Sequence, residues 1–326
     1  MARIRIDGTN GADRIDQGNR AFLDIFAKDG NDVINLNRSD DLGGSNFVDA
    51  GKGDDGVVNA FEGGNDIRLG DGDDTYVGQG FAFSGSAFDT IRAGAGNDTI
   101  AVSTFHSDYF GDSGNDSFFS EGWQNLFNGG SGSDTISYEP RDDSSTLGGT
   151  GVGIDLGQGF AQTGANRFET LVSIENAAGT NVGDTILGSN GVNTLNGRGG
   201  NDILSGLGGN DRLIGGTGRD ELHGDGGADK FDFNNKNESV TGANRDVIID
   251  FSRSQGDKVD LATIDANSTA AANQAFSFIG SAGFSGHAGE LRFSNGIISG
   301  DIDGNGTSDF HIQINVTSMN AADFIL

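Results

Sequence analysis

Acidic side chains recur every nine residues between positions 179 and 232. Cut into nines, this stretch reads GTNVGDTIL, GSNGVNTLN, GRGGNDILS, GLGGNDRLI, GGTGRDELH and GDGGADKFD. The sixth place holds Asp184, Asn193, Asp202, Asp211, Asp220 and Asp229. Carboxylate and turn carbonyl oxygens are the ligands that a hard cation such as Ca²⁺ prefers. The pattern therefore predicts calcium sites in turns that also contain the fourth-place glycines Gly200, Gly209, Gly218 and Gly227.

The elements that position these carboxylates follow from the same period. A six-residue glycine turn and a three-residue strand make half a coil, and rings of 18 residues then stack about 4.8 Å apart. This places Asp184, Asp202 and Asp220 on one edge, with Asn193, Asp211 and Asp229 on the other. The eighth places predict an inward-facing core of Ile186, Leu195, Leu204, Leu213, Leu222 and Phe231. Because adjacent unpaired carboxylates repel, calcium is expected to be part of the fold.

The nonapeptide resembles the G-G-x-G-x-D-x-U-x repeat of the RTX proteins. The resemblance implies an all-β chain, folded as a right-handed parallel β-roll or β-solenoid, with Ca²⁺ as its cofactor. The alternative is a calcium-free loop or linker rich in glycine and aspartate. The regular apolar eighth place argues against that alternative.

A second block of nonapeptides runs from residue 84 to residue 137. Asp98, Asp116 and Asp134 stand 18 residues apart and predict one metal-binding edge. The opposite edge has Asp89, Ser107 and Asn125, so calcium is expected on one side only. Residues 1–77 contain degraded copies at irregular spacing, which predict a frayed or widened end of the solenoid. Their aspartates are Asp13, Asp32, Asp55, Asp66 and Asp74.

The C-terminal hundred residues carry a second resemblance. The segments RDVIIDFSRSQGDKVDLATIDAN, ISGDIDGNGTSDFHIQI and AADFIL resemble the C-terminal domain of serralysin-type metalloproteases. That resemblance implies a β-rich cap on the roll and an uncleaved signal for type I secretion near Asp323–Leu326, a tail expected to be dispensable for folding. The predicted domains are thus 1–138 (degenerate, then regular solenoid), 139–178 (a spacer with short strands), 179–232 (regular roll) and 233–326 (cap and secretion region). A disordered linker is the alternative for the spacer.

Zinc proteolysis is not predicted, because H-E-x-x-H is missing. The four histidines, His106, His223, His287 and His311, have no such spacing. Another candidate cluster is His106, Asp108 and Tyr109, but Tyr109 occupies an eighth place and should point into the core. The sequence therefore favours a protein without catalytic activity.

Composition limits partners and location. The chain has 326 residues with 57 glycines, one proline, no cysteine, 34% hydrophobic residues and a formal charge of −28. Such acidity predicts repulsion from nucleic acid and anionic membranes. The first residues, MARIRIDGTNGADRID, have no apolar run, and no stretch predicts a transmembrane segment. Because calcium sites of this kind are expected to be empty in cytoplasm, we expect a leaderless type I route to the outside or the cell surface.

Two further sets of residues are candidate sites. Asp301, Asp303, Asn305 and Asp309 in DIDGNGTSD resemble a calcium loop without its twelfth-position glutamate, and a plain hairpin turn is the alternative. Phe105 and Trp123 both occupy a fourth place, 18 residues apart, with His106 beside them. They predict stacked rings that bind a sugar or an apolar partner. Alternatively, the rings fold over a loop and replace the packing that calcium gives elsewhere.

Together, these features predict a secreted, non-enzymatic calcium-binding protein of the cell surface or extracellular matrix. Its expected partners are calcium, the type I secretion apparatus and a surface polysaccharide. The first alternative is a calcium-dependent lyase, epimerase or hydrolase acting on extracellular polysaccharide. The second is a membrane-active exoprotein, although no amphipathic segment supports it.

Overall fold

The computed structural model describes residues 2–37, 44–80, 88–143 and 149–326. The first residues of the block that begins at 84, and residues 144–148 of the predicted spacer, lie outside these ranges. By its contacts the chain divides into two units, Met1–Gly148 with Gly159–Asn176, and Gly149–Gln158 with Ala177–Leu326.

Short strands make up most of the regular structure in the described residues. They are β1 (Ile4–Asp7), β2 (Arg14–Asp16), β3 (Leu23–Asp29), β4 (Val33–Leu36), β5 (Phe47–Lys52), β6 (Gly56–Asn59), β7 (Asp66–Asp71), β8 (Thr75–Gln79), β9 (Thr90–Ala95), β10 (Thr99–Ser103), β11 (Asp108–Ser113), β12 (Ser117–Ser120), β13 (Leu126–Asn128), β14 (Thr135–Ser137), β15 (Gly153–Asp155), β16 (Phe160–Gly164), β17 (Arg167–Val172), β18 (Asn176–Ala178), β19 (Thr185–Ser189), β20 (Thr194–Asn196), β21 (Gly199–Gly200), β22 (Ile203–Leu207), β23 (Arg212–Ile214), β24 (Thr217–Gly218), β25 (Glu221–His223), β26 (Lys230–Asp232), β27 (Asp246–Ile248), β28 (Lys258–Asp260), β29 (Ser277–Phe278), β30 (Glu290–Ser294), β31 (Ile297–Asp301), β32 (Phe310–Ile314) and β33 (Phe324–Ile325). The 3₁₀ turns are Glu139–Asp143, Gly242–Asn244 and Ala321–Asp323.

The first unit is a stack of coils with two parallel sheets. One sheet runs β1-β3-β5-β7-β9-β11-β13-β17, and β16 joins β17 antiparallel. The other runs β2-β4-β6-β8-β10-β12-β14, again parallel. Each coil contributes one strand to each sheet, which is the arrangement of a β-roll. This confirms the fold class predicted from the repeat.

The second unit repeats this arrangement and extends it past the last nonapeptide. One parallel run is β15-β19-β22-β25-β27-β32, and the other is β20-β23-β26-β28-β33. Strands β30, β31 and β32 form an antiparallel meander. The coils therefore continue into the region predicted as a separate cap from residue 233.

The predicted core is confirmed. Ile186, Leu195, Leu204, Leu213, Leu222 and Phe231 are all fully buried. Tyr109 is buried as well, and its hydroxyl lies 2.6 Å from Thr104 Oγ1. Since Tyr109 points inward while His106 is exposed, the three residues His106, Asp108 and Tyr109 do not share one surface.

The first coils are not frayed. Ile15, Ile34, Val57 and Tyr76 fill the inner positions of successive coils and are buried. Their strands pair in register despite the irregular spacing of the copies. In the described part of the chain, no helix combines the length and apolar character needed to cross a bilayer.

Candidate functional site

The sixth-place side chains form ladders along the edges of the coils. In each step, the Oδ1 of one aspartate accepts a hydrogen bond from the backbone N–H of the sixth-place residue one coil earlier. The N–H groups of Asp98 and Asp202, for example, donate to Asp116 and Asp220, both at 2.8 Å. This contact fixes the carboxylate in the mouth of its turn.

The ladder of the first unit begins in the coils that the sequence marked as degraded. It links Asp13, Asp32, Asp55, Asp74, Asp98, Asp116 and Asp134, and ends on Glu175. The steps are 19, 23, 19, 24, 18 and 18 residues before that end, so insertions change the spacing without breaking the ladder. Asp66 is not part of it and has a half-exposed side chain at the start of β7.

The second unit has a ladder on each edge, as the nonapeptide spacing predicts. One ladder links Asp184, Asp202, Asp220 and Asp246, and its first member, Asp184, accepts the backbone N–H of Val152. The other links Asn193, Asp211, Asp229 and Asp257. Asp246 and Asp257 lie beyond the nonapeptides and were missed. Each precedes an inward aliphatic residue by two, as in D-x-U, and this signal could have identified them.

The second carboxylate oxygen of most ladder aspartates is buried without a hydrogen-bond partner in the described structure. These Oδ2 atoms belong to Asp32, Asp55, Asp74, Asp98, Asp116, Asp134, Asp202, Asp211, Asp220, Asp229 and Asp246. A buried, unpaired carboxylate oxygen is costly unless a cation compensates its charge. A ladder of such atoms is therefore the geometry expected of a row of metal sites.

In the regular turns of the second unit, glycine in the first place makes room for these oxygens. A Cβ at Gly206 would lie 2.3 Å from Oδ2 of Asp211, and one at Gly224 would lie 2.6 Å from Oδ2 of Asp229. The fourth-place residues Gly200, Gly209, Gly218 and Gly227 have φ values of 114°, 125°, 140° and 146°. Such backbone favours glycine, and it turns the chain tightly around the carboxylate.

Electrostatics point to the same ligand. Burial first, and then the carboxylates of neighbouring coils, raise the pKa of Asp202 and Asp246 to about 8 against the opposing effect of a backbone N–H donated to each. Burial likewise raises the pKa of Asp98 and Asp211 to about 7. Ionised aspartates stacked this closely need a positive partner. Hard carboxylate oxygens with turn carbonyls nearby fit Ca²⁺.

The opposite edge of the first unit is built differently. The backbone N–H of Asn65 donates to Asp89 Oδ1 at 2.8 Å, and the backbone N–H of Asp89 donates to Ser107 Oγ at 3.1 Å. Asp89 Oδ2 accepts from the Asn59 amide at 2.6 Å, so both of its oxygens are satisfied. Ser107 N–H in turn donates to Asn125. The orphaned carboxylate oxygens of this unit's aspartate ladder lie on the other edge, which supports the expected one-sided calcium binding.

Asp301, Asp303 and Asp309 come together in the connection between β31 and β32, with one carboxylate oxygen of each within 4.8 Å of the others. The connection joins antiparallel strands, so the backbone is a hairpin. Asp301 accepts hydrogen bonds from the N–H groups of Gly304 and Gly306 at 2.8 and 2.9 Å. Within the turn, the Asn305 side chain donates a hydrogen bond to Asp303 Oδ2 and accepts one from the Thr307 backbone N–H.

The two rings singled out in the second block lie on neighbouring coils. Phe105 and Trp123 form a parallel bridge, and their ring centroids are 5.4 Å apart at a tilt of 54°. His106 packs 4.1 Å from the Phe88 ring, and the Arg167 guanidinium lies 4.3 Å from the centre of Trp123. We call these five residues the aromatic column. His106 is exposed and the other four are partly exposed.

Two family models and a solved structure are similar to parts of this chain. Residues 163–326 match the family described as peptidase M10 serralysin C terminal, and residues 83–102 match the RTX calcium-binding nonapeptide repeat (4 copies). A solved structure, the solution structure of the AlgE6R3 subunit from the Azotobacter vinelandii mannuronan C5-epimerase, is 27% identical over 44% of this chain and 78% of its own, with a TM-score of 0.32. No curated protein matches the sequence.

Proposed function

We propose that this chain, which belongs to the peptidase M10 serralysin C-terminal family, is an extracellular protein. Calcium ions bind along its aspartate ladders and stabilise the folded state. The buried, orphaned Oδ2 atoms are the observation that carries this proposal. The proposed ligands are the eleven aspartates with such atoms and the carbonyl groups of their turns. Asp301, Asp303 and Asp309 form a further proposed site in their hairpin.

Substitution of one ladder aspartate tests this proposal. Asp220→Asn keeps the Oδ1 acceptor for Asp202 N–H but turns the orphaned oxygen into an N–H donor. We expect the calcium concentration at half-maximal folding, followed by far-UV circular dichroism, to rise by about tenfold, equivalent to roughly 1.4 kcal/mol. The matched control is Asp66→Asn, outside the ladder. Equal calcium dependence of the two variants would contradict the proposal.

Export follows from the same physics. In the calcium-poor cytoplasm the ladders would lack calcium and the chain would be unfolded. The extracellular medium would supply the calcium that folds it. Both family matches are typical of exported proteins. We further propose a type I route that reads the segment 321–326.

The test of export separates the segment's sequence from its place in the fold. In the folded protein, Asp323 is buried and paired with Arg253 at 2.6 Å, and Phe324 packs on Phe278. Deleting residues 321–326 should retain the protein in the producing cell. Arg253→Gln breaks the same ion pair but leaves the segment intact, and should be exported normally. Export of the deletion variant at the normal level would refute the signal.

The aromatic column favours a second, non-catalytic role in binding a polysaccharide. Tilted rings on adjacent coils offer partly exposed faces at about the repeat of stacked strands, and the exposed His106 beside them can form hydrogen bonds. The formal charge of −28 disfavours a polyanion, so the proposed ligand is a neutral glycan.

Trp123→Ala separates binding from packing. If the ring binds sugar, affinity for a neutral glycan array should fall while the thermal midpoint in saturating calcium hardly moves. If the ring only covers the edge of the coil, the midpoint should fall and binding should be unchanged. Phe47→Ala is the control, because Phe47 is a partly exposed ring beside Phe26, outside the column.

A further inference from the structure

Asp257, beyond the repeats, has a donor on each carboxylate oxygen, and its Oδ2 accepts the Ser252 N–H at 2.8 Å. Within the repeats, three sixth-place ladder residues likewise differ from the aspartates that have an orphaned oxygen. They end the turns 8–13, 179–184 and 188–193, which read GTNGAD, GTNVGD and GSNGVN. These are the only turns of the two repeat regions that combine Thr or Ser in the second place with Asn in the third. Each is the first turn of its ladder in chain order.

In these turns the oxygen that faces the turn has donors. Thr9 and Thr180 donate their backbone N–H groups to Oδ2 of Asp13 and Asp184 at 2.5 and 2.6 Å, and their hydroxyls lie 3.0 and 3.2 Å from the same atoms. Likewise, the backbone N–H of Ser189 donates to Oδ1 of Asn193 at 2.7 Å, and the Ser189 hydroxyl lies 3.2 Å from the same oxygen. The side-chain oxygen that corresponds to an orphaned oxygen in the other turns therefore has hydrogen-bond donors from the protein here.

Backbone conformation explains the difference. Ten ladder turns of the six-residue type end in an orphaned oxygen, and in all of them the second and fourth places have positive φ, as at Arg198 (73°) and Gly200 (114°). None of the second or fourth places in the three exceptional turns does. A second place outside the left-handed region presents its N–H to the carboxylate. Val182, in a fourth place, is also β-branched and disfavours positive φ.

We propose that these three turns are metal-free starter turns, whose sixth-place side chains are not calcium ligands. The inference rests on the proposed calcium sites of the other turns and removes Asp184 from the ligands predicted by the sequence. An inward N–H and a hydroxyl proton occupy the oxygen that would face the cation, and they place partial positive charge where the cation would lie. In chain order, the first calcium-binding turns of the three ladders are therefore those that end in Asp32, Asp202 and Asp211.

The third starter turn gives the sharpest test, because it lacks only two residues of the full motif. Asn193→Asp alone completes the sixth place but keeps Ser189. The double variant Ser189→Gly/Asn193→Asp reads GGNGVD and leaves Gly191 free to adopt a positive φ. Calcium bound at saturation is counted by native mass spectrometry, with circular dichroism as a check on folding. We expect the wild-type count for the single variant and one more ion for the double variant.

The outcomes separate this inference from the function on which it rests. One additional ion in Asn193→Asp, or no additional ion in a folded double variant, overturns the starter turns. If the double variant does not fold, the single variant still decides, since its extra carboxylate is the only change. A wild-type protein that binds no calcium, or Asp211→Asn with an unchanged count, instead overturns the proposed calcium ladders.

Discussion

Glu169 is a buried carboxyl group outside the calcium ladders. It is 1% exposed and accepts hydrogen bonds from Tyr138, Ser120 and Asn125 at 2.8, 2.8 and 3.1 Å. Burial raises its pKa above the ordinary 4.5, against the effect of these donors. The folded state therefore holds this proton more tightly than the unfolded chain does. Its contribution to stability is most favourable below pH 4.5 and is lost as the pH rises toward the folded pKa.

Glu169→Gln should remove this dependence, because the amide stays neutral and can keep the bonds to its neighbours. Relative to the wild type, the variant should gain stability steadily as pH rises above 4.5 and show little difference below it. Urea unfolding midpoints in saturating calcium, measured between pH 4 and pH 8, test this. Gln162→Ala, at an exposed position of the adjoining strand β16, changes no titratable group and should give a flat difference. A flat difference for Glu169→Gln would mean that the buried carboxyl is not held protonated.

The last strand illustrates how a local reading of the sequence differs from the folded element. The tail was expected to be dispensable for folding, yet Phe324 is 7% exposed, and β33 pairs with β28. Phe324→Ala should cost about 3 kcal/mol in calcium-saturated unfolding, as expected for a buried ring. Ala322→Gly, at an exposed position of the preceding turn, is the milder control. Equal midpoints for both variants would show that β33 does not contribute to the cooperative unit.

Sequence periodicity predicted the coils well because the eighth place must be apolar wherever a coil closes. It failed where insertions shift the count, so Asp32, Asp55 and Asp74 were interpreted as degraded copies although they occupy the same ladder as Asp98. It also failed past residue 232, where only the D-x-U triplet remains. The periodicity also does not distinguish Asp184 from the aspartates that have an orphaned oxygen. Its carboxylate looks like its neighbours in sequence, and only the backbone of Thr180 shows that its oxygens have donors.

The two units differ in how many of their edges contain proposed calcium ligands. Orphaned carboxylate oxygens lie on one edge of the first unit and on both edges of the second. The other edge of the first unit is held by amide, hydroxyl and satisfied carboxylate groups around Asn65, Asp89 and Ser107. Removing calcium should therefore leave repulsion along one ladder in the first unit and along two in the second.

We predict that the second unit loses its structure at a higher calcium concentration than the metal-free edge of the first. Each empty ladder stacks buried carboxylates, and the thin core offers little apolar burial to offset them. Hydrogen exchange read by mass spectrometry at stepped calcium concentrations should show β20, β23 and β26 losing protection before β11 and β13. Titration with magnesium, which suits these flexible oxygen sites less well, is the control and should not restore protection. Simultaneous loss across both units, or earlier loss at β11 and β13, would show that the amide edge adds no stability of its own.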